Sequence, residues 1–228
     1  MKNFKSLVVG ILSVAASFFS LPTSGLGLQW TRTEETLINY LRSTRSEDKT
    51  TNDYIQGKLR FVDYTLYRSI LVDGFNGIQP VWDNTIAKAI GITNVDKAKL
   101  DKDVHVCIDT LLIGYANSGG AGTDPSNING YDHVVTSWPA GLVNAEIQVF
   151  QDGVPVTSGI SARLCGSMAD GTFGVGRGEG YLFKNPFILE GDKTFEVRIW
   201  FPQAIAPANT DFLRIEMLGV GTRKRSGL

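Results

Sequence analysis

Phe195-Glu196-Val197-Arg198-Ile199-Trp200-Phe201 decides the fold class. Phe195, Val197, Ile199 and Phe201 alternate with Glu196, Arg198 and Trp200, and a period of two is the spacing of a strand with one buried face. The same code recurs on either side of this segment. Downstream, Leu213, Ile215 and Met217 alternate with Arg214 and Glu216. Upstream, Val143, Ala145, Ile147 and Val149 alternate with Asn144, Glu146 and Gln148, and Ile160, Ala162 and Leu164 alternate with Ser161 and Arg163. Val104, Val106 and Ile108 alternate with His105, Cys107 and Asp109. Leu66, Arg68, Ile70 and Val72 run into the turn pair Asp73-Gly74. Ile78 to Trp82 and Tyr181 to Leu189 add two further strand candidates.

About eight strands, separated by Gly, Asn, Asp and Pro clusters, describe an all-β chain: an antiparallel β-sandwich of the single jelly-roll type. Val197, Ile199, Leu213, Ile215, Ile147 and Val149 are its expected core. No repeat of 20 to 50 residues is visible, which disfavours propellers and solenoids. Asn117 to Trp138 is a long polar stretch with Gly119-Gly120, Gly122, Asp124-Pro125 and Asn129-Gly130. Loops of that length are commonly functional or interface-forming.

Ahead of the strands the period changes. Thr31 and Glu34 have capping-box spacing, and Leu37, Ile38 and Leu41 form one apolar stripe, so a helix is expected here. Ser43 to Asp53 is polar, with Arg45, Glu47, Asp48 and Lys49, and reads as a solvated linker. This divides the chain into an N-terminal arm, residues 1–53, and a body, residues 54–228, with the arm expected to be dispensable for folding of the body. Within the arm, Lys2 and Lys5 precede the apolar run Leu7 to Phe19, and Leu21-Pro22-Thr23-Ser24-Gly25 follows. The run is short of the ~20 residues a transmembrane helix needs. Three readings stand: a cleaved signal peptide, a retained arm touching lipid, and an arm packed on neighbouring subunits.

The 228 residues carry 22 basic and 23 acidic side chains, a net charge of −1, so there is no global attraction to nucleic acid. Hydrophobic residues make up 43% of the chain, enough for a packed core. Cys107 and Cys165 sit in strand patterns and read as buried free thiols, with one disulfide as the alternative. His105 and His133 are the only histidines, and neither Cys-x-x-Cys nor His-x-x-x-His occurs, so no metal site or cofactor is expected.

The chemical constellations are weak. Asp132-His133 lacks a Gly-x-Ser-x-Gly nucleophile, and His105 reads as an outward or edge residue of its strand. Glu146, Glu196 and Glu216 are candidate glycosidase carboxylates, but all occupy outward strand positions. The run from Gly174 to Gly180 lacks the Lys-Ser/Thr of a phosphate loop and reads as a flexible loop. Asp124 to Gly130 resembles a calcium loop in composition, with Ile128 at its fifth position. Arg223-Lys224-Arg225 is a small basic tail. No catalytic residue is assigned.

Tyr67-Arg68-Ser69-Ile70-Leu71-Val72, Gly91-Ile92-Thr93-Asn94 and Val104 to Tyr115 resemble the opening of jelly-roll capsid proteins from tailless icosahedral bacteriophages. Asn185-Pro186-Phe187-Ile188-Leu189 and Lys193 to Ile199 resemble their late strand pair, and Phe212 to Val220 their terminal strand. The resemblance covers about residues 60–222. It implies a non-enzymatic virion component, major or minor, that self-associates into a shell or capsomer. Its implied partners are other virion proteins and a lipid membrane reached through residues 1–25, with no specific nucleic-acid site in the body. Many relatives carry two jelly rolls per chain, whereas this chain has strands for one. The alternative is a secreted β-sandwich adhesin or carbohydrate-binding module, for which Trp138 and Trp200 are the stacking candidates. A β-sandwich hydrolase ranks last.

Overall fold

A computed structural model describes residues 31–43, 49–118, 124–167, 180–205 and 211–224. In chain order the elements are helix α1 (Arg32–Ser43), helix α2 (Lys49–Ile55), strands β1 (Leu59–Leu71), β2 (Gly77–Trp82) and β3 (Val106–Asn117), and the single turn α3 (Ala140–Val143). Strands β4 (Glu146–Gln151), β5 (Val154–Pro155), β6 (Ile160–Ser161), β7 (Tyr181–Leu189), β8 (Phe195–Phe201) and β9 (Asp211–Lys224) follow. They form two antiparallel sheets, ordered β1-β9-β3-β7 and β2-β8-β4-β5, with β6 also pairing β4. The chain is an all-β sandwich with a short helical segment ahead of it.

The pairing is nested: β1 lies on β9, β2 on β8 and β3 on β7, while β4 pairs β5 and β6. The core lies between the sheets. Ile147, Val149, Val197 and Ile199 face it from one sheet, and Leu213, Ile215 and Met217 from the other, all without solvent exposure. The six core residues expected from the alternation are therefore inside. Trp82, Phe195 and Phe201 are also fully buried, and each such side chain contributes roughly 2–3 kcal/mol through apolar area removed from water.

A bulge in β3 explains where the sequence pattern stops. Ile108 pairs Gly219 and Thr110 pairs Leu218, leaving Asp109 unpaired between them. One extra residue reverses the parity. Val106 and Ile108 face the core before it, and Leu111, Ile113 and Tyr115 after it. Asp109 keeps the outward parity of Cys107 and faces α1, where its carboxylate accepts the Thr33 hydroxyl at 2.5 Å.

Helix α1 begins with the expected capping box. The Thr31 hydroxyl accepts the Glu34 amide at 3.2 Å, and the Glu34 carboxylate accepts the Thr31 amide at 2.7 Å. Its stripe, Leu37, Ile38 and Leu41, is buried. Leu37 and Leu41 cluster with Cys107, Val220, Phe61 and Ile188 on the outer face of the β1-β9-β3-β7 sheet.

The polar stretch expected to be a solvated linker instead holds α2, with Thr50 and Thr51 buried. Residues 44–48 lie outside the described residues. The overlooked signal is Gly57, at φ 69°, which ends the helix. The Gly57 amide bonds the Tyr54 carbonyl and the Lys58 amide bonds the Asp53 carbonyl, the Schellman pattern. The first strand starts two residues later, not at Tyr54. A second correction concerns Ile160, Ala162 and Leu164. Only Ile160–Ser161 is strand; 162–165 forms a 3-10 turn and Leu164 is exposed.

Gly219 and Gly57 are glycines for different reasons, and substitution separates them. A Cβ on Gly219 would stand 1.9 Å from the Cys107 carbonyl oxygen, so Gly219→Ala is expected to cost at least ~3 kcal/mol through forced separation of β3 and β9. Gly57 meets nothing within 4 Å, and only its positive φ resists a side chain; Gly57→Ala is expected to cost about 1 kcal/mol. Urea titration of both variants measures the difference.

Candidate functional site

The two sheets expose different outer faces. On β1-β9-β3-β7 that face is covered at one end by α1, and at the other by the segment following Asp124. Tyr115 and Asp132 exchange backbone hydrogen bonds at 2.8 and 2.7 Å. Gly114 has no room for a Cβ, because Tyr131 and His133 lie against it. Arg214 pairs with Glu216 at 2.5 Å, and its guanidinium lies 4.2 Å from the Tyr67 ring centre.

The outer face of β2-β8-β4 is bare among the described residues. Cross-strand register places Ile78, Trp200, Glu146 and Ser161 in one row across β2, β8, β4 and β6. Ile78 is 67% exposed and Trp200 55%. The next row holds Pro80, Arg198 and Gln148. Arg198 is a forked partner of Glu196, at 2.7 and 2.6 Å, and stacks 4.3 Å from the Phe150 ring centre. That fork raises the Arg198 guanidinium, with the hydrogen bond to Glu196 the main cause. The Gln148 amide donates to the Thr157 carbonyl at 3.0 Å. Beside β2 and β8 lies a shallow concavity of about 240 Å³, lined by Pro80, Asp83, Asn84, Gly153, Thr194, Phe195 and Glu196.

The sequence candidates do not converge. Glu146 and Glu196 occupy outward positions of adjacent strands, but the register separates them by four residues, about 13 Å at strand rise. That exceeds either carboxylate spacing used for glycoside hydrolysis. Glu216 is on the other sheet. Asp132 accepts the Val134 amide at 2.8 Å, which lowers its carboxyl, with the Ser137 hydroxyl adding to the effect. His133 donates through Nδ1 to the Ile113 carbonyl at 2.8 Å. The pair is spent on the backbone.

His105 corrects its expectation. It has the outward parity of Cys107, yet it is buried, because the Tyr40 ring of α1 packs edge-on at 5.6 Å. Its Nδ1 accepts the Gly191 amide at 3.0 Å. Asp124 caps a 3-10 turn by accepting the Ser126 amide at 2.9 Å, which lowers its carboxyl. Among the described residues no three His, Cys, Asp or Glu side chains gather as metal ligands. Arg68 shares the inward parity of Leu66 and Ile70; burial lowers its guanidinium, and Asp83 opposes that shift. In the basic tail, Lys224 pairs with Asp103, Arg223 is exposed, and Arg225 lies outside the described residues. Residues 174–179 of the glycine run lie outside them as well, as does the apolar run Leu7 to Phe19.

The two tryptophan candidates separate. Trp138 is buried and donates its indole N–H to the Asp132 carbonyl at 3.1 Å, which removes it from any surface role. Trp200 remains outward. Sequence reasoning missed Ile78 as its neighbour, since register decides which residues of separate strands adjoin. No helix of the described residues is long and apolar enough to cross a membrane. No protein-family model matches this chain, and no curated protein or solved structure matches it.

Cys107 and Cys165 are free and buried, and burial pushes each thiol from the ordinary 9.0 up to about 12. The unfolded chain releases these protons near pH 9 while the folded chain keeps them. Stability from this source is therefore full below pH 9 and declines as pH rises toward 12. Denaturant midpoints measured from pH 8 to 11 should fall, and less steeply in Cys165→Ala relative to its own pH 8 value. At pH 8 iodoacetamide should label neither described thiol until denaturant is added.

Proposed function

We propose that this chain is a structural shell subunit: a single jelly roll with an N-terminal arm, serving as a capsid component of a tailless icosahedral bacteriophage. The observation that carries the reading is the nested pairing of β1 with β9, β2 with β8 and β3 with β7. One long hairpin rolled into two sheets produces that nesting, and the double-sheet jelly roll of capsid and lectin domains has this arrangement. The sequence resemblance to phage capsid strands supports the same reading from an independent direction.

The surface supports it too. Exposed apolar side chains sit on separate parts of the body: Ile90 in the connection after β2, 96% exposed, and Leu182 on edge strand β7, 71% exposed. A subunit held by several different neighbours needs apolar contact points facing several directions, which one symmetric dimer patch does not provide. The distance between Glu146 and Glu196 and the backbone engagement of His133 favour a structural over a catalytic role. In this reading residues 1–25 contact lipid or a neighbouring subunit, and the virion is where the chain resides.

Sedimentation and negative-stain imaging of the purified full chain test the proposal. Rings, capsomers or closed shells are expected at micromolar concentration, and removal of residues 1–25 should abolish them or their association with liposomes. A monodisperse monomer across all concentrations, with and without liposomes, would count against the shell reading and favour the secreted sugar-binding alternative.

A further inference from the structure

The outer face of β2-β8-β4, bare among the described residues, carries a role beyond that of a shell. One row at the end of this face is mixed in chemistry: the exposed indole of Trp200, the apolar shoulder of Ile78, the carboxylate of exposed Glu146 and the hydroxyl of Ser161. We infer that this row is a binding surface for a neutral polysaccharide chain.

Three features point to that occupant. An exposed indole offers an apolar ring face to the C–H face of a pyranose ring, and an aromatic with a polar edge is suited to amphipathic ligands. Glu146 stands directly opposite Trp200 in the register, and a carboxylate accepts paired hydroxyl hydrogens from one sugar ring. The row crosses three strand spacings, about 14 Å, so a short run of rings fits along it. All these residues sit on paired strands, which lowers the ordering cost of binding.

Charge decides against the other occupants. A second copy would need about 800 Å² per partner with a charge-depleted centre, yet here Glu146 lies in the row with the one indole and the one isoleucine, and Arg198 lies in the next row. Arg198 is one row from Trp200 and works against a cationic ligand. The Glu146 carboxylate works against an acidic sugar. A neutral chain meets neither obstacle.

Affinity electrophoresis of the full chain in gels containing hydroxyethyl cellulose, soluble starch, dextran or glycol chitin tests the inference. Retardation is expected in at least one of these and not in polygalacturonate. Trp200→Ala should weaken it by about ten-fold or more, and Glu146→Ala by a smaller factor, with unchanged melting because both side chains are exposed. No retardation in any neutral gel, or equal retardation of Trp200→Ala, would overturn it. Loss of particle assembly in Trp200→Ala without polysaccharide binding by the parent would overturn it as well, by assigning the face to a second copy. Assembly of the parent is read separately by sedimentation, so the shell proposal and this one fail on different measurements.

Discussion

The last strand holds the molecule together. β9 lies between β1 and β3 and pairs with both along most of its length, Leu59 opposite Lys224 at one end and Asn117 opposite Asp211 at the other. Until β9 arrives, β1 has no sheet partner among the named strands, and the inner face of that sheet lacks Leu213, Ile215 and Met217. Both of its pairings join residues distant in sequence. Loop-closure entropy must be met before any of that burial is gained, so a chain of this topology folds slowly and late in synthesis. At Gly219 the backbone of β3 just before the Asp109 bulge leaves no room for a Cβ.

Helix α1 makes the difference between the two outer faces. Asp109 binds Thr33, and α1 then covers Cys107, Val220 and His105, residues that would otherwise be wet. The helical segment, which the sequence pattern assigns to the arm, thus packs on one sheet of the body. With one sheet covered, the outward side chains of the other are left for contact with something else. The shell reading and the polysaccharide inference use different parts of this asymmetry: the first uses the nested roll and scattered apolar edges, the second a single aromatic row.

Several residues changed meaning between the sequence and the structure. Trp138 and Trp200 are both stacking candidates in the sequence. One is buried, with its indole bonded to the Asp132 carbonyl, and the other points outward from β8 on a sheet face that is open among the described residues. His105 follows the alternation but not the exposure that alternation usually brings. Alternation assigns a face, and whether that face meets water depends on an element more than sixty residues away. Helix α2 was legible through Gly57 alone, since its polar residues match a linker as well as a helix.

Local chemistry by itself determined the all-β class, the inward set from Ile147 to Ile215 and the capping box of α1. Each depends on side-chain type and spacing within a few residues, where the period of a strand or helix leaves little freedom. Which strands adjoin, where the bulge reverses parity, which outer face is covered and which residues form the Ile78-Trp200-Glu146 row were decided by the tertiary structure. The reason is that hydrogen-bond register between strands is set by the best simultaneous burial of both sheets. No single segment carries that information, because every strand here has the same pattern to offer any partner.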